Sequence, residues 1–233
     1  MSKKRYLNLI WKSPETGRNY TVGQICEDDK KYSFKYIEDY LKAQESGWQL
    51  LEAFPDVRKY ESDTFFTAFS SRLPDPKRKD IKDILSKYAL ADFDAFELLE
   101  KSSGKLPTDT YEFINPIFPE DETVERQFFI AGVRHKIHCE EIGCGSLDFI
   151  NDGDSLILCH ESDNSFDEYA VLIKTKDGRE IGYVPKYYSK QVAERLQKGM
   201  TYECGVIKVN KDKNCAECIK VKLRMPAIKD ANV

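Results

Sequence analysis

The sequence predicts an α+β protein: a small sheet-plus-helices domain followed by a mostly β domain with one helix. Three observations predict it. Residues 5–37 hold strand-like runs and residues 75–104 hold helical ones. A proline-and-acid segment interrupts the chain near residues 115–126. Beyond it, short β-rich runs surround one amphipathic stretch. At 233 residues the chain is long enough for two modest cores. The expected division is a first domain over 1–115, a linker over 116–126, a second domain over 127–225 and a tail over 226–233.

The first domain opens on Tyr6 to Trp11, Tyr20 to Cys26 and Tyr32 to Ile37, apolar or aromatic runs divided by Ser13-Pro14-Glu15-Thr16-Gly17 and Glu27-Asp28-Asp29-Lys30-Lys31. Such turns make a small meander. Asp75-Pro76 suits a helix start, and Ile81, Ile84, Leu85 and Tyr88 then recur along one helical face. Asp94-Ala95-Phe96-Glu97 resembles a capping box, with Gly104 placed to close that helix. Thr110 to Ile114 reads as a returning strand. Asn115-Pro116-Ile117-Phe118-Pro119, followed by an acidic run, reads as the linker because prolines stiffen it and the acids offer nothing to bury.

In the second domain, Phe128 to Val133, Ser155 to Cys159, Tyr169 to Ile173 and Glu180 to Val184 are β-rich, and Asn151-Asp152-Gly153-Asp154 and Lys176-Asp177-Gly178-Arg179 are placed to turn the chain. A helix after Pro185 carries Tyr188, Val192 and Leu196 on one face and stops at Gly199. Tyr202 to Val209 and Ile219 to Leu223 complete the strands. The last alternates Ile219, Val221 and Leu223 inward with Lys220, Lys222 and Arg224 outward. A small, partly open barrel is expected.

Charge narrows the function. With 36 basic against 40 acidic side chains, net −4, the chain does not coat nucleic acid through bulk positive charge. Residues 186–224 nevertheless hold ten basic against four acidic side chains. That excess suits either a backbone track or the wet faces of a helix and two strands. No apolar run approaches the roughly 20 residues of a membrane span, and Met1 to Trp11 lacks a leader's apolar core. A cytoplasmic protein with reduced cysteines and no membrane partner is expected.

The richest stretch runs from Leu158 to Lys186. A strand ends in a loop offering Asn164, Phe166 and Asp167, and the following hairpin sends Tyr183 and Lys186 toward the same rim. A carboxylate and an amide beside an aromatic can hydrogen-bond a sugar hydroxyl and stack a base. The same residues suit an Asx-type turn in which Asp163, Asn164 and Asp167 bond their own backbone.

Glu161-Ser162-Asp163-Asn164-Ser165-Phe166-Asp167, then Ala170-Val171, Gly178 and Ile181-Gly182-Tyr183-Val184-Pro185, resembles the HIRAN domain. Ala131-Gly132-Val133-Arg134-His135 looks like that family's opening strand. The resemblance covers about residues 127 to 225 and implies an OB-like barrel that grips the 3′-hydroxyl end of single-stranded DNA. It implies that Asp167 accepts from the 3′-hydroxyl, that Phe166 stands where the family has a base-stacking tyrosine, and that Asn164 shapes the pocket. Arg134 would meet the phosphate backbone, with His135 in place of an aromatic residue beside it and Tyr183 on the opposite rim.

Val22-Gly23-Gln24-Ile25, Tyr32-Ser33-Phe34-Lys35-Tyr36, Phe65 to Pro74 and Asp94 to Leu99 look like the N-terminal subdomain of HipA-type serine/threonine kinases. In that family the subdomain precedes the catalytic core, and it sometimes exists as a separate small protein, as HipS does in three-part systems. The resemblance covers about residues 5 to 115 and implies engagement of a HipA-type kinase or related toxin component. Within it, Phe34, Phe66, Phe69 and Leu98 are expected to pack rather than to make contacts with a partner.

Catalytic and metal signatures are poor. Gly143-Cys144-Gly145 lacks the third glycine and preceding strand of a dinucleotide loop, and Ser103-Gly104-Lys105 lacks the rest of a phosphate-binding loop. Cys215-Ala216-Glu217-Cys218 is one Cys-x-x-Cys pair whose second pair is not evident among His135, His138, Cys139 and Cys144. His160, ending an apolar strand, reads as a satisfied, partly buried residue. The expectation is a non-enzymatic, antitoxin-like regulator with no cofactor and no metal, binding a single-stranded 3′ DNA end and a HipA-type kinase. The alternative is a protein-interaction module whose barrel has lost DNA binding.

Overall fold

The computed structural model describes residues 4–37, 39–137, 147–211 and 216–226. Within it the chain divides into two compact units, Met1–Pro116 and Ile117–Val233.

The first unit is built on an antiparallel sheet of five strands in the order β4-β3-β2-β1-β5. These are β1 (Arg5–Lys12), β2 (Asn19–Asp28), β3 (Lys31–Tyr36), β4 (Tyr60–Ser62) and β5 (Tyr111–Ile114). The register pairs Leu7 with Ile25 and Ile25 with Phe34. Because side chains alternate across a strand, that register sets all three on one face, where they are fully buried. Phe54, Phe69, Phe96 and Phe113 complete an aromatic core, with ring centroids 4.4 Å apart for Phe34 and Phe54 and 5.4 Å for Phe69 and Phe113. Phe34, Phe69 and Leu98 are buried and Phe66 packs against the core, so all four serve packing.

Four helices accompany the sheet: α1 (Asp39–Glu45), α2 (Thr67–Ser70), α3 (Ile81–Lys87) and α4 (Ala95–Ser102). At α4 the Asp94 carboxylate accepts from the Glu97 N–H at 2.8 Å, the expected cap. Asp75-Pro76 does not open a helix. The Asp75 carboxylate takes the Lys77 N–H and its carbonyl the Arg78 N–H, which spends its capping capacity on a turn, and α3 begins only at Ile81.

The second unit contains two antiparallel three-stranded sheets, β10-β11-β6 and β7-β8-β9. Their strands are β6 (Val124–Phe129), β7 (Leu156–His160), β8 (Val171–Thr175), β9 (Glu180–Tyr183), β10 (Glu203–Val209) and β11 (Ile219–Met225), with helices α5 (Val133–Ile137) and α6 (Lys186–Gln197). Single antiparallel bridges, Ala131 to Tyr183 and Ser155 to Gly205, join the sheets at both edges, so strand neighbours follow one another round the unit. Ile219, Val221 and Leu223 are fully buried as their alternation requires.

The expected strand through Val133 is corrected. β6 stops at Phe129, Ala131 makes only its bridge, Gly132 turns the chain at φ 69°, and Arg134 and His135 lie on α5. The left-handed turn that glycine permits ends the ladder and starts the helix.

Residues of the expected linker are fastened inside the second unit. Arg195 of α6, only 4% exposed, donates through Nη2 to the Phe118 carbonyl at 2.9 Å and the Asp121 carbonyl at 2.6 Å.

Candidate nucleic-acid interface

The loop between β7 and β8, residues 161–170, is held almost entirely by its own polar groups. The Glu161 N–H donates to the Ala170 carbonyl at 2.8 Å and closes the loop's base, and the Ala170 N–H returns to the Asp167 carbonyl at 2.9 Å. The Asn164 side-chain oxygen accepts from the N–H groups of Phe166, at 3.0 Å, and Asp167, at 3.2 Å. One oxygen of Asp167 accepts from the Tyr169 N–H at 3.0 Å. These are Asx-type turns, and they fix the loop's shape without help from a ligand.

The loop presents more than its backbone needs. Phe166 is 87% exposed, a large ring left in water at the loop's tip. The second oxygen of Asp167 meets the Ser189 hydroxyl at 2.9 Å, joining the loop to α6. A carboxylate offers about four acceptor positions. With two taken, half-buried Asp167 keeps acceptor capacity beside the exposed ring.

Tyr183 joins from β9. Its hydroxyl donates to Glu161 Oε2 at 3.1 Å, and the same oxygen accepts from the Asn164 amide at 3.0 Å. Lys136 of α5 sits 5.1 Å from the centroid of the Tyr183 ring and pairs with Glu180 at 2.7 Å. Glu180 also takes Lys174 at 3.3 Å. Hydrogen bonds to Glu180 and Tyr183 hold the Lys136 ammonium above its ordinary pKa, and the Lys136 bond holds the Glu180 carboxyl below its own.

The structure thus places Asn164, Phe166 and Asp167 on one loop, Tyr183 against its base through Glu161, and exposed Lys186 at the start of α6, where its carbonyl lies 3.0 Å from the Ser189 hydroxyl. Arg134 and His135 are exposed on α5 and are tied to this group through the backbone bridge between Ala131 and Tyr183. Among the described residues no ion pair engages Arg134.

Two residues of the cluster, Glu161 and Ser189, were not among the expected site residues. Ser189 carried a signal: it lies three and four residues before Val192 and Ala193 on the buried stripe of α6, where a hydroxyl must find a partner. Glu161 opens the run that resembles the HIRAN domain, but nothing local marked its tie to Tyr183, 22 residues away.

Half of the ten basic side chains over residues 186–224 are buried or paired. Arg195 is buried, and Lys208, Lys211 and Lys222 pair with Asp152, Asp148 and Glu125 from outside that span. Arg224 lies 3.8 Å from Glu203. The wet-face reading therefore fits this stretch better than a backbone track. His160 is satisfied as expected, Nε2 lying 2.9 Å from the Glu168 carbonyl and Nδ1 3.2 Å from the Gln197 amide.

No group of three His, Cys, Asp or Glu suited to a metal occurs among the described residues. His138, Cys139, Cys144 and Cys215 lie outside them, as do Gly143 and Gly145. Cys204 is buried, which pushes its thiol up to about 12 and leaves it inert. Among the described residues no helix is long and apolar enough to cross a membrane.

The model of the HIRAN domain family matches residues 124–224, from the start of β6 to the penultimate residue of β11. Among solved structures, a crystal structure of a protein from Lactobacillus plantarum is 19% identical, with 44% of this chain and 94% of that one covered at a TM-score of 0.37. The crystal structure of the HIRAN domain of human HLTF is 14% identical, with 46% and 80% covered at a TM-score of 0.34. A search of curated proteins found no match.

Proposed function

We propose that the second unit binds the 3′-hydroxyl end of single-stranded DNA on the rim formed by the 161–170 loop, the end of β9 and the start of α6. The observation that carries this reading is Phe166, 87% exposed on a loop already fixed by its own hydrogen bonds, next to a carboxylate with acceptor capacity to spare. An aromatic face offered to water is a stacking surface for a terminal base, and stacking contributes about 1–3 kcal/mol per base. Asp167 accepts from the terminal sugar hydroxyl and repels a phosphate in that position. Arg134 and Lys186, both exposed, meet the last phosphates, and His135 lies beside Arg134. The match of residues 124–224 to the HIRAN domain supports the same reading. A loop that needs no ordering on binding loses little conformational entropy, which favours a small, end-specific site.

The test is fluorescence anisotropy with a labelled oligonucleotide ending in a 3′-hydroxyl, the same strand ending in a 3′-phosphate, and a blunt duplex. The 3′-hydroxyl strand is expected to bind at least about tenfold more tightly, and Asp167→Ala or Phe166→Ala to remove about that much. Equal affinity for all three, unchanged by Asp167→Ala, overturns it.

For the first unit the proposal is a non-enzymatic, antitoxin-like role: engagement of a HipA-type kinase or related toxin component. Its support is the resemblance carried by Val22 to Ile25, Tyr32 to Tyr36, Phe65 to Pro74 and Asp94 to Leu99. Co-expression with a HipA-type kinase core lacking its own N-terminal subdomain should yield a complex through size-exclusion chromatography. Separate elution overturns it.

A further inference from the structure

Glu161 has an unusual set of partners for a half-buried carboxylate. No lysine or arginine pairs with it among the described residues. Its Oε2 accepts instead from two neutral donors, the Asn164 amide at 3.0 Å and the Tyr183 hydroxyl at 3.1 Å. Its main chain is equally committed, the N–H to Ala170 and the carbonyl to the Asn164 N–H at 3.2 Å. Two donors thus hold the side chain, and it adds a second tie between the loop's base and β9, whose Tyr183 also pairs with Leu172 of β8 just beyond the loop.

Tyr183 is fixed from the other side. Its N–H and carbonyl exchange 2.8 Å hydrogen bonds with Ala131, two residues before α5 begins. Gly182 admits that approach: a Cβ there would stand 2.4 Å from the Ala131 carbonyl oxygen. The Lys136 ammonium lies over the Tyr183 ring and is itself held by Glu180. That ring face carries a cation of the protein's own, so Tyr183 serves through its hydroxyl and its backbone rather than as a stacking platform. The links run from the loop through Glu161 and Tyr183 to Ala131 and Lys136, and so to the helix bearing Arg134 and His135.

We propose that Glu161 is a positioning residue: through Tyr183 it sets the spacing between the loop that presents Phe166 and Asp167 and the helix that presents Arg134 and His135. The proposal rests on the DNA-end reading above, since the spacing matters because one strand must reach the terminal hydroxyl acceptor and the phosphate contact together. A site whose groups drift apart loses affinity although each group survives.

The experiment measures affinity and dissociation rate of the 3′-hydroxyl oligonucleotide for the full chain and for Glu161→Ala, Glu161→Gln, Tyr183→Phe and the Glu161→Ala/Tyr183→Phe pair, with Asp167→Ala alongside. Gln keeps an acceptor oxygen in the same place, so Glu161→Gln should stay within about twofold of the parent. Glu161→Ala and Tyr183→Phe should each weaken binding roughly five- to tenfold, mainly through faster dissociation, and the pair should be no weaker than Glu161→Ala alone. A role confined to holding the fold would appear as a lowered melting temperature, so thermal melts accompany each variant. If Glu161→Ala does not fold, Tyr183→Phe and Glu161→Gln carry the test. Loss with Asp167→Ala but parent affinity for both Glu161→Ala and Tyr183→Phe overturns the positioning role and leaves the DNA-end reading standing. So does a Glu161→Gln variant as weak as Glu161→Ala. A parent protein indifferent to the 3′-hydroxyl overturns the reading itself, and the inference with it.

Discussion

At the scale of single residues, one guanidinium of the first unit is bound at three points. Arg72, whose side chain is 10% exposed, makes two 2.7 Å bonds to the oxygens of Asp109 and a third to the Gly104 carbonyl. Burial pushes the Asp109 carboxyl up, but the Arg72 bonds, the Tyr111 N–H and the Arg72 charge outweigh it and leave the carboxyl below its ordinary pKa. A depressed folded-state pKa contributes stability that is full above the unfolded carboxyl's value, about 3.9, and is lost as pH falls through the lower, folded one. Asp109→Asn should therefore cost about 2–3 kcal/mol at neutral pH by leaving the largely buried Arg72 guanidinium without its counter-charge. It should also flatten the acid limb of stability against pH, as read by urea melts between pH 2 and 7. An unchanged acid limb would show that Asp109 is not the titrating group. Neither Arg72 nor Asp109 stood out in the sequence, where each is one charge among many. By contrast Asp94, three residues before Glu97 and ahead of Leu98-Leu99, showed its capping role directly, because a cap is satisfied within one turn.

The longest elements were legible, although the seven-residue α1 was not expected. β11 alternates over seven residues and α6 repeats over twelve, enough for a period to show. The five-residue α5, the three-residue β4 and the four-residue α2 hold about one period or less, and their shapes come from what they pack against. Hence Arg134 and His135 read as strand and proved helical. The same holds for the site: the Asn164 to Asp167 loop announced itself through local turn chemistry, whereas its ties to Tyr183 and Ser189 span 22 residues each. Gly182 belongs to this scale because it fixes how β9 meets the segment leading to α5. Gly182→Ala forces its new methyl against backbone at Ala131 and should cost about 2 kcal/mol or more. Hydrogen exchange at Ala131 and Tyr183 should rise well beyond that at β11. Protection unchanged at both amides would show that the bridge tolerates the methyl.

For the whole molecule, a net charge of −4 and the pairing of Lys208, Lys211 and Lys222 argue against a long track of cations for phosphate. A grip through Arg134, Lys186 and at most one further cation would neutralise about two or three phosphates, and single strands release counterions at about 0.7 per phosphate, so log affinity should fall against log salt with a slope of about −1.4 to −2.1. Arg134→Gln should reduce that slope by about 0.7 and Lys222→Gln should leave it unchanged. A slope steeper than about −4 would require a long backbone track and sink the end-specific account. The clasp on the chain entering the second unit has a mechanical consequence. A pull transmitted through Pro116 meets the two Arg195 bonds, at Phe118 and Asp121, before it reaches the first residue of β6, so tension is taken up in α6 and the β-ladder behind it is spared from peeling.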